Sequence, residues 1–113
     1  MVAGELYLGN FPFGGSAGMK LRPVLLLTGE VGPVPEVLVA YVSSVMPADI
    51  LPSDLLVDPA QPEFVSTNLK KSSIVRLHKL ATIHQSSLVR FLGNLNANGM
   101  ADVATKLRTL LNI

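Results

Sequence analysis

One arginine stands at the start of an apolar segment, directly after a glycine-rich loop. Arg22-Pro23 precedes Val24-Leu25-Leu26-Leu27, and the loop contains Gly14-Gly15-Ser16-Ala17-Gly18. A guanidinium is always charged, and its planar fork of donors fits a carboxylate or a phosphate group. The sequence therefore leaves two interpretations open: Arg22 binds an anionic ligand, or it pairs with one of the chain's own carboxylates.

The composition restricts the other chemistry that this chain can perform. The chain has 113 residues and no cysteine, which excludes disulfides, thiolate nucleophiles and thiolate metal sites. No apolar stretch reaches the length of a membrane span, and residues 1–5 lack the features of a signal peptide. We therefore expect one cytoplasmic domain, residues 1–113, with no membrane partner and no metal site.

Hydropathy and charge both point to a partner. The chain is 49% hydrophobic and has a mean hydropathy of +0.44, so we expect a partner or a second copy to cover apolar surface. Residues 1–60 carry two basic and six acidic side chains, whereas residues 61–113 carry seven basic and two acidic ones. This asymmetry indicates contact with nucleic acid or with an acidic protein.

The elements that must position Arg22 are short strands followed by one helix. Apolar segments between turn residues predict strands at 5–11, 22–28, 37–42 and 55–57, and a strand pair or one bent strand at 73–77 and 80–84. A polar loop is predicted at 60–71, either without regular structure or with one helical turn. An apolar stripe from Met100 to Leu111 at helical spacing predicts a terminal helix with its N-cap among residues 94–99. This order is typical of a small antiparallel β-barrel with a docked helix.

Several segments in order resemble one family, the MazF/PemK toxins of bacteria, over nearly the whole chain. Beside the glycine loop and Arg22-Pro23-Val24-Leu25-Leu26-Leu27, the segments that carry the resemblance are Gly4-Glu5-Leu6-Tyr7-Leu8, Val39-Ala40-Tyr41-Val42-Ser43-Ser44, Leu51-Pro52-Ser53-Asp54, Ser73-Ile74-Val75-Arg76-Leu77 and Leu80-Ala81-Thr82-Ile83. The order and spacing of the segments make the resemblance specific.

The resemblance implies a mainly β fold, an SH3-like small β-barrel of the MazF/CcdB toxin type with a C-terminal helix. It implies a homodimer that acts in the bacterial cytoplasm as a sequence-specific endoribonuclease without a metal or other cofactor. Such a toxin cleaves single-stranded RNA by 2′-hydroxyl attack and inhibits growth. A cognate antitoxin protein neutralises it, and operator DNA is contacted only through the antitoxin complex.

The resemblance also implies two catalytic residues. Arg22 matches the arginine of the family's strand, and Ser43 matches the small hydroxyl residue after the next strand. The chemistry suits both side chains, because cleavage of this kind needs charge stabilisation on a pentavalent phosphorus. Arg22 can bind two phosphate oxygens in parallel, and Ser43 can donate one further hydrogen bond.

The general base is left open by the sequence. Many relatives have a glutamate in the loop before the arginine, where this chain has Ser16-Ala17-Gly18-Met19, and an acidic residue where it has His78. An imidazole titrates near neutral pH, so His78 is a candidate base or acid, and His84 is a second one. The alternative for each is a structural histidine at a strand end.

Five cations are candidates for RNA binding: Lys20, Lys70, Lys71, Arg76 and Lys79. The alternative for the lysines is an ordinary solvated charge, and the alternative for Arg76 is an ion pair with Asp54. Phe11 and Phe13 flank the glycine loop and are candidates either for stacking on a base or for packing in the core or a dimer interface.

Two other functions remain open for the same fold. One is a binding module that holds RNA or an antitoxin without cleavage, as the missing loop carboxylate suggests. The other is a gyrase-poisoning toxin, which normally depends on an aromatic C-terminal tail. The tail here, Leu110-Leu111-Asn112-Ile113, contains no aromatic residue.

Overall fold

A computed structural model describes residues 1–12 and 20–113, and its described part is mainly β with one C-terminal helix. Six strands are present there: β1 Glu5–Phe11, β2 Lys20–Leu26, β3 Glu36–Ser43, β4 Asp54–Val57, β5 Ser73–His84 and β6 Leu88–Asn94. Two 3₁₀ turns, Pro62–Thr67 and Gln85–Ser87, precede β5 and β6 respectively, and α1 spans Ala97–Leu111. The expected fold class is confirmed.

The strands form one antiparallel sheet in the order β4-β5-β3-β2-β1-β6. Neighbouring side chains on a strand point to opposite faces, and both faces of β2 and β3 are buried. One core contains Leu25, Ala40 and Leu77, and it also receives Val103 of α1. The other core contains Val24 and Val39 on the opposite face. The strand predicted at 22–28 is found at Lys20–Leu26, and Val24, Leu25 and Leu26 are buried on both faces of the sheet.

β5 is one bent strand rather than a pair of strands. Ala40 pairs with Leu80, yet the next residue of β3, Tyr41, pairs with Arg76. Residues 77–79 therefore form a bulge in which three residues of β5 have no partner in β3. A bulge resets the alternation of side chains, so the two halves of β5 are not in phase.

The sequence prediction missed β6. Only Gly93 is buried in this strand, and Val89, Arg90 and Phe91 are exposed. The strand lies at the edge of the sheet beside β1, and it therefore lacks the apolar alternation by which a strand is recognised.

The terminal helix is confirmed, with Asn96 as its N-cap. The Asn96 side chain accepts a hydrogen bond from the Gly99 N–H at 2.9 Å. Val103 of the predicted stripe is buried, whereas Leu110 and Leu111 are 42% and 54% exposed. Within the described residues, no helix is long and apolar enough to cross a membrane.

Candidate functional site

Arg22 and Ser43 border the same open cleft, which we call the Arg22 cleft. It has a volume of about 350 Å³ and is lined by Arg22, Tyr41, Ser43, Val45, Pro47, Arg76 and Lys79. The sheet explains this grouping, because Val24 pairs with Tyr41 and Tyr41 pairs with Arg76. Arg22 lies two residues before Val24, and Ser43 two residues after Tyr41, so all of these positions share one face.

The cleft opens where two strands stop pairing. β2 and β3 pair only over Val24–Leu26, although β2 begins at Lys20 and β3 continues to Ser43. Pro23, which has no N–H, lies just outside the paired stretch. Arg22 and Ser43 therefore project from strand ends that have no ladder between them.

Arg22 has no carboxylate partner in the described part of the chain. It is partly buried, and no hydrogen bond or ion pair engages its guanidinium within residues 1–12 and 20–113. The remaining segment, 13–19, contains no acidic residue. The interpretation of Arg22 as half of an internal ion pair is therefore not supported, and a charged group at this position suits an anionic ligand.

Ser43 is held by its own turn. The side chain is 7% exposed, and its Oγ accepts a hydrogen bond from the Val45 N–H at 3.0 Å. The hydroxyl donates to the Val45 carbonyl oxygen only at 3.5 Å, the outer limit of a hydrogen bond. The hydroxyl proton can therefore turn to a better acceptor in the cleft at little cost.

Arg76 both lines the cleft and pairs with Asp54, so its two interpretations are compatible. The Arg76 Nε donates to Asp54 Oδ1 at 2.9 Å, and its Nη2 donates to Oδ2 at 3.3 Å. Lys79 is the third cation of the cleft, and its Nζ lies 5.5 Å from the centroid of the Tyr41 ring. With Arg76 neutralised by Asp54, the cleft still has an excess of positive charge.

Asp54 is fully buried and remains ionised. Burial alone would raise the pKa of the Asp54 carboxyl. The hydrogen bonds that it accepts from Arg76 and from the Leu51 N–H outweigh this effect, together with the nearby charges of Arg76 and His78. The pKa of Asp54 is therefore below its ordinary value. The carboxylate therefore stabilises the folded protein at every pH above the ordinary pKa of an aspartate side chain.

We expect Asp54→Asn to lower the free energy of unfolding by about 2 kcal/mol at pH 7, because the partly buried Arg76 loses its counter-ion. The folded-state pKa is lowered, so the contribution is complete above about pH 4 and is lost as the pH falls through that lowered value. Urea unfolding between pH 7 and pH 3 measures the difference in the free energy of unfolding between Asp54→Asn and the wild type. This difference should narrow only below about pH 4. Asp102→Asn, at an exposed position of α1, is the matched control. If the difference in the free energy of unfolding is as large at pH 3 as at pH 7, the stabilising role of the ionised Asp54 is contradicted.

The structure does not bring His78 into the Arg22 cleft. In a regular strand His78 would share a face with Arg76, but the bulge at 77–79 turns it away. Its Nδ1 lies 2.8 Å from the Ser53 Oγ and 4.0 Å from Asp54 Oδ1, beside a different pocket formed with the end of α1. Because Ser53 and Asp54 face the same ring nitrogen, these residues do not form a catalytic triad.

Lys70 and Lys71 lie in a second cleft, which we call the lysine cleft. It has a volume of about 310 Å³ and is lined by Leu8, Pro23, Ser44, Asn68, Leu69, Lys70, Lys71, Ser73, Arg90 and Leu92. Pro23 and Ser44 are the chain neighbours of Arg22 and Ser43, so the two clefts meet the same strand ends from opposite faces of the sheet.

The remaining candidates from the sequence are Lys20, Phe11, Phe13 and His84. Lys20 pairs with Phe11 in the sheet, but its side chain, like Phe13 and the glycine loop, lies outside the described residues. Phe11 is 1% exposed and packs in the second core, its ring 5.2 Å from that of Tyr41. His84 caps a 3₁₀ turn through Ser86 and does not line the Arg22 cleft.

Tyr41 and Arg90 are among the cleft residues that sequence reasoning did not identify as candidates. Tyr41 has a detectable signal, because strand alternation places it on the same face as Ser43. Arg90 has none, since its strand was not predicted. Among the described side chains, no group of three or more His, Asp or Glu residues is arranged to hold a metal ion.

Comparisons with known proteins identify the family. A family model described as "PemK-like, MazF-like toxin of type II toxin-antitoxin system" matches residues 3–111. A comparison of the sequence with curated proteins finds no significant match.

Solved structures show the same fold at low sequence identity. The Mycobacterium tuberculosis toxin MazF-mt6 is 23% identical, with a TM-score of 0.73 over 96% of this chain and 97% of that one. An endoribonuclease in complex with its cognate antitoxin from Mycobacterial species is 17% identical, with a TM-score of 0.71 over 100% and 96% of the two chains. The MazE-MazF structure (Form-III) from Deinococcus radiodurans is 20% identical, with a TM-score of 0.70 over 100% and 97%.

The match of the family model over residues 3–111 confirms the resemblance drawn from the ordered sequence segments. This chain belongs to the PemK-like, MazF-like toxins of type II toxin-antitoxin systems.

Proposed function

We propose that this protein is a metal-independent, sequence-specific endoribonuclease that cleaves single-stranded RNA and thereby inhibits growth. The observation that carries the proposal is Arg22, a partly buried cation with no carboxylate partner among the described residues, next to the Ser43 hydroxyl in a cationic cleft. Membership of the toxin family supports it, as do two structural neighbours that are named as endoribonucleases.

The proposed reaction uses a nucleophile that the substrate itself supplies. The 2′-oxygen of the ribose forms a bond to the adjacent phosphorus, the bond from phosphorus to the 5′-oxygen breaks, and a 2′,3′-cyclic phosphate and a 5′-hydroxyl remain. Water accepts the proton of the 2′-hydroxyl and water protonates the 5′-oxygen, because no carboxylate or imidazole lines the described part of the Arg22 cleft. Arg22 neutralises charge on the phosphorane oxygens, and Ser43 donates a hydrogen bond to one of them. His78 has no part in this scheme, since it faces another pocket.

The surrounding cations bind the reacting phosphate and the phosphates beside it. Arg76 and Lys79 lie in the Arg22 cleft, whereas Lys70 and Lys71 lie in the lysine cleft beyond the strand ends. Contacts of this kind bind phosphates irrespective of base sequence and weaken as salt is added. Lys20 stays a prediction for the same role.

The partners follow from the family. We propose that a cognate antitoxin covers the cationic clefts, because the similar Mycobacterial endoribonuclease forms a complex with its own cognate antitoxin. Contact with operator DNA is proposed only through the toxin-antitoxin complex, and the site of action is the bacterial cytoplasm.

We also propose a homodimer. Apolar side chains remain exposed on β6, where Val89 and Phe91 are 59% and 50% accessible, and at the end of the chain, where Ile113 is 84% accessible. Light scattering at micromolar concentration should give about twice the monomer mass of 12.0 kDa. A monomer mass would contradict this.

The decisive experiment incubates the purified protein with a long single-stranded RNA in EDTA. We expect cleavage at a small number of short sequences, with 2′,3′-cyclic phosphate ends. A short RNA oligonucleotide that contains one of these sequences should also be cut, and the same oligonucleotide with a 2′-deoxynucleotide at the cut site should stay intact. Uncut RNA, or cleavage of the deoxy substrate, would overturn the proposal.

A binding module without activity is the alternative, favoured by the lack of any carboxylate or imidazole among the described residues that line the Arg22 cleft. RNA that is retained in a gel shift but stays uncut in the same EDTA assay would support this alternative. Growth arrest on expression, relieved by a neighbouring small acidic protein, would count against it.

A further inference from the structure

We propose that Asp54 is a positioning residue of the Arg22 cleft, which fixes the guanidinium of Arg76 in the orientation that meets the reacting phosphate. This inference rests on the proposed function. Asp54 does not line the cleft itself, and it acts only through Arg76.

The first step of the argument is that Asp54 is itself held rigidly. Its side chain is completely buried, and its Oδ2 accepts the Leu51 N–H at 2.8 Å. Its own backbone N–H donates to the Leu51 carbonyl oxygen at 2.9 Å, which closes a tight turn at the start of β4. In addition, Asp54 pairs with Arg76 in the sheet. The carboxylate is thus fixed by its turn, by the sheet and by burial.

The second step is that this carboxylate occupies one edge of the Arg76 guanidinium and leaves the other edge available. Nε and Nη2 donate to Asp54, whereas Nη1 makes no hydrogen bond to any described residue. Arg76 is only 16% exposed, and the cleft is where its exposed part lies. Two parallel bonds fix the plane of a guanidinium, so the directions in which the two N–H groups of Nη1 donate are fixed as well.

The third step is that fixing this donor matters more for the reaction than for binding. A long cationic side chain that is free in solution must lose rotamer entropy when it meets a phosphate, and one that is already fixed does not. Asp54 also cancels the charge of Arg76. Loss of the carboxylate should therefore leave RNA binding as strong as before while the rate of cleavage falls.

The test measures kcat and KM for RNA cleavage by Asp54→Asn, Arg76→Ala and the double variant, at a temperature where melting curves show all of them folded. We expect Asp54→Asn to lower kcat about 10- to 100-fold with KM unchanged or lower. In the Arg76→Ala background the same change should have no further effect, since the group that Asp54 positions is gone. Asp102→Asn is the control for loss of an aspartate charge.

Arg76→Lys provides a second test that leaves Asp54 in place. A lysine keeps the cation but cannot make the two parallel hydrogen bonds, so we expect kcat to fall nearly as far as in Arg76→Ala. A wild-type kcat in Arg76→Lys, or an equal loss from Asp54→Asn in both backgrounds, would overturn the inference. Absence of cleavage by the wild-type protein would instead overturn the proposed function, and the inference with it.

Discussion

Arg22→Ala should slow the cleavage of single-stranded RNA by about 10²–10³-fold, the loss expected when a preorganised donor to a developing anion is removed. The reason lies in the surroundings of Arg22. It stands at the diverging end of β2, beside the Ser43 hydroxyl, and no described carboxylate shares its charge. Single-turnover cleavage of an end-labelled RNA in EDTA measures the change.

The fold should tolerate the same substitution. No described hydrogen-bond acceptor depends on Arg22, so its removal leaves no buried group without a partner. We expect the melting temperature of Arg22→Ala to stay within a few degrees of wild type. Arg108→Ala, at an exposed position of α1, is the matched control for loss of an arginine and should cleave at the wild-type rate. Equal cleavage by Arg22→Ala and the wild type would remove Arg22 from the mechanism.

Gly93→Ala should give the largest loss of stability, about 3 kcal/mol or more in the free energy of unfolding. Gly93 lies in β6, and a Cβ at this position would be 2.2 Å from the Ser66 carbonyl oxygen and 2.7 Å from that of Thr67. Both obstacles are backbone atoms of a 3₁₀ turn, which cannot rotate away as a flexible side chain can. Either β6 or this turn must move.

Thermal unfolding tests this expectation, and the loss corresponds to a fall in the melting temperature of about 10 °C or more. Gly99→Ala is the matched control, because the nearest atom to its added Cβ is the end of the Leu95 side chain at 3.3 Å. Alanine is also favoured over glycine within a helix, so Gly99→Ala should be nearly neutral. A fall of equal size in both variants would show that the contact with the 3₁₀ turn is not the cause.

Much of the fold could be predicted because apolar alternation and turn residues mark β1 to β4 and the helical stripe marks α1. The shared face of Arg22 and Ser43 follows from the same alternation once β2 and β3 are paired. β6 could not be recognised, because an edge strand with one buried residue lacks the pattern. Its single glycine gives no hint of the close backbone contact with the turn before β5.

The candidate site was harder to predict than the fold because it depends on long-range register. The pairing of Arg76 with Asp54 was one of two interpretations, and the structure shows that Arg76 makes this pair while lining the cleft. The position of His78 could not be read from the sequence, since regular alternation would have placed it beside Arg76. Only the pairing of Tyr41 with Arg76 and of Ala40 with Leu80 reveals the bulge that turns it away.

That bulge gives the fold a place where the lining of the Arg22 cleft can change during evolution. Residues 77–79 have no partner in β3, whereas the pairs on either side of them are regular. A residue inserted or deleted there would alter which side chains face the cleft without shifting the register of either half of β5. Arg22 and Ser43 belong to other strands and would be unaffected. The lining of the Arg22 cleft can thus change at this bulge while Arg22 and Ser43 keep their positions.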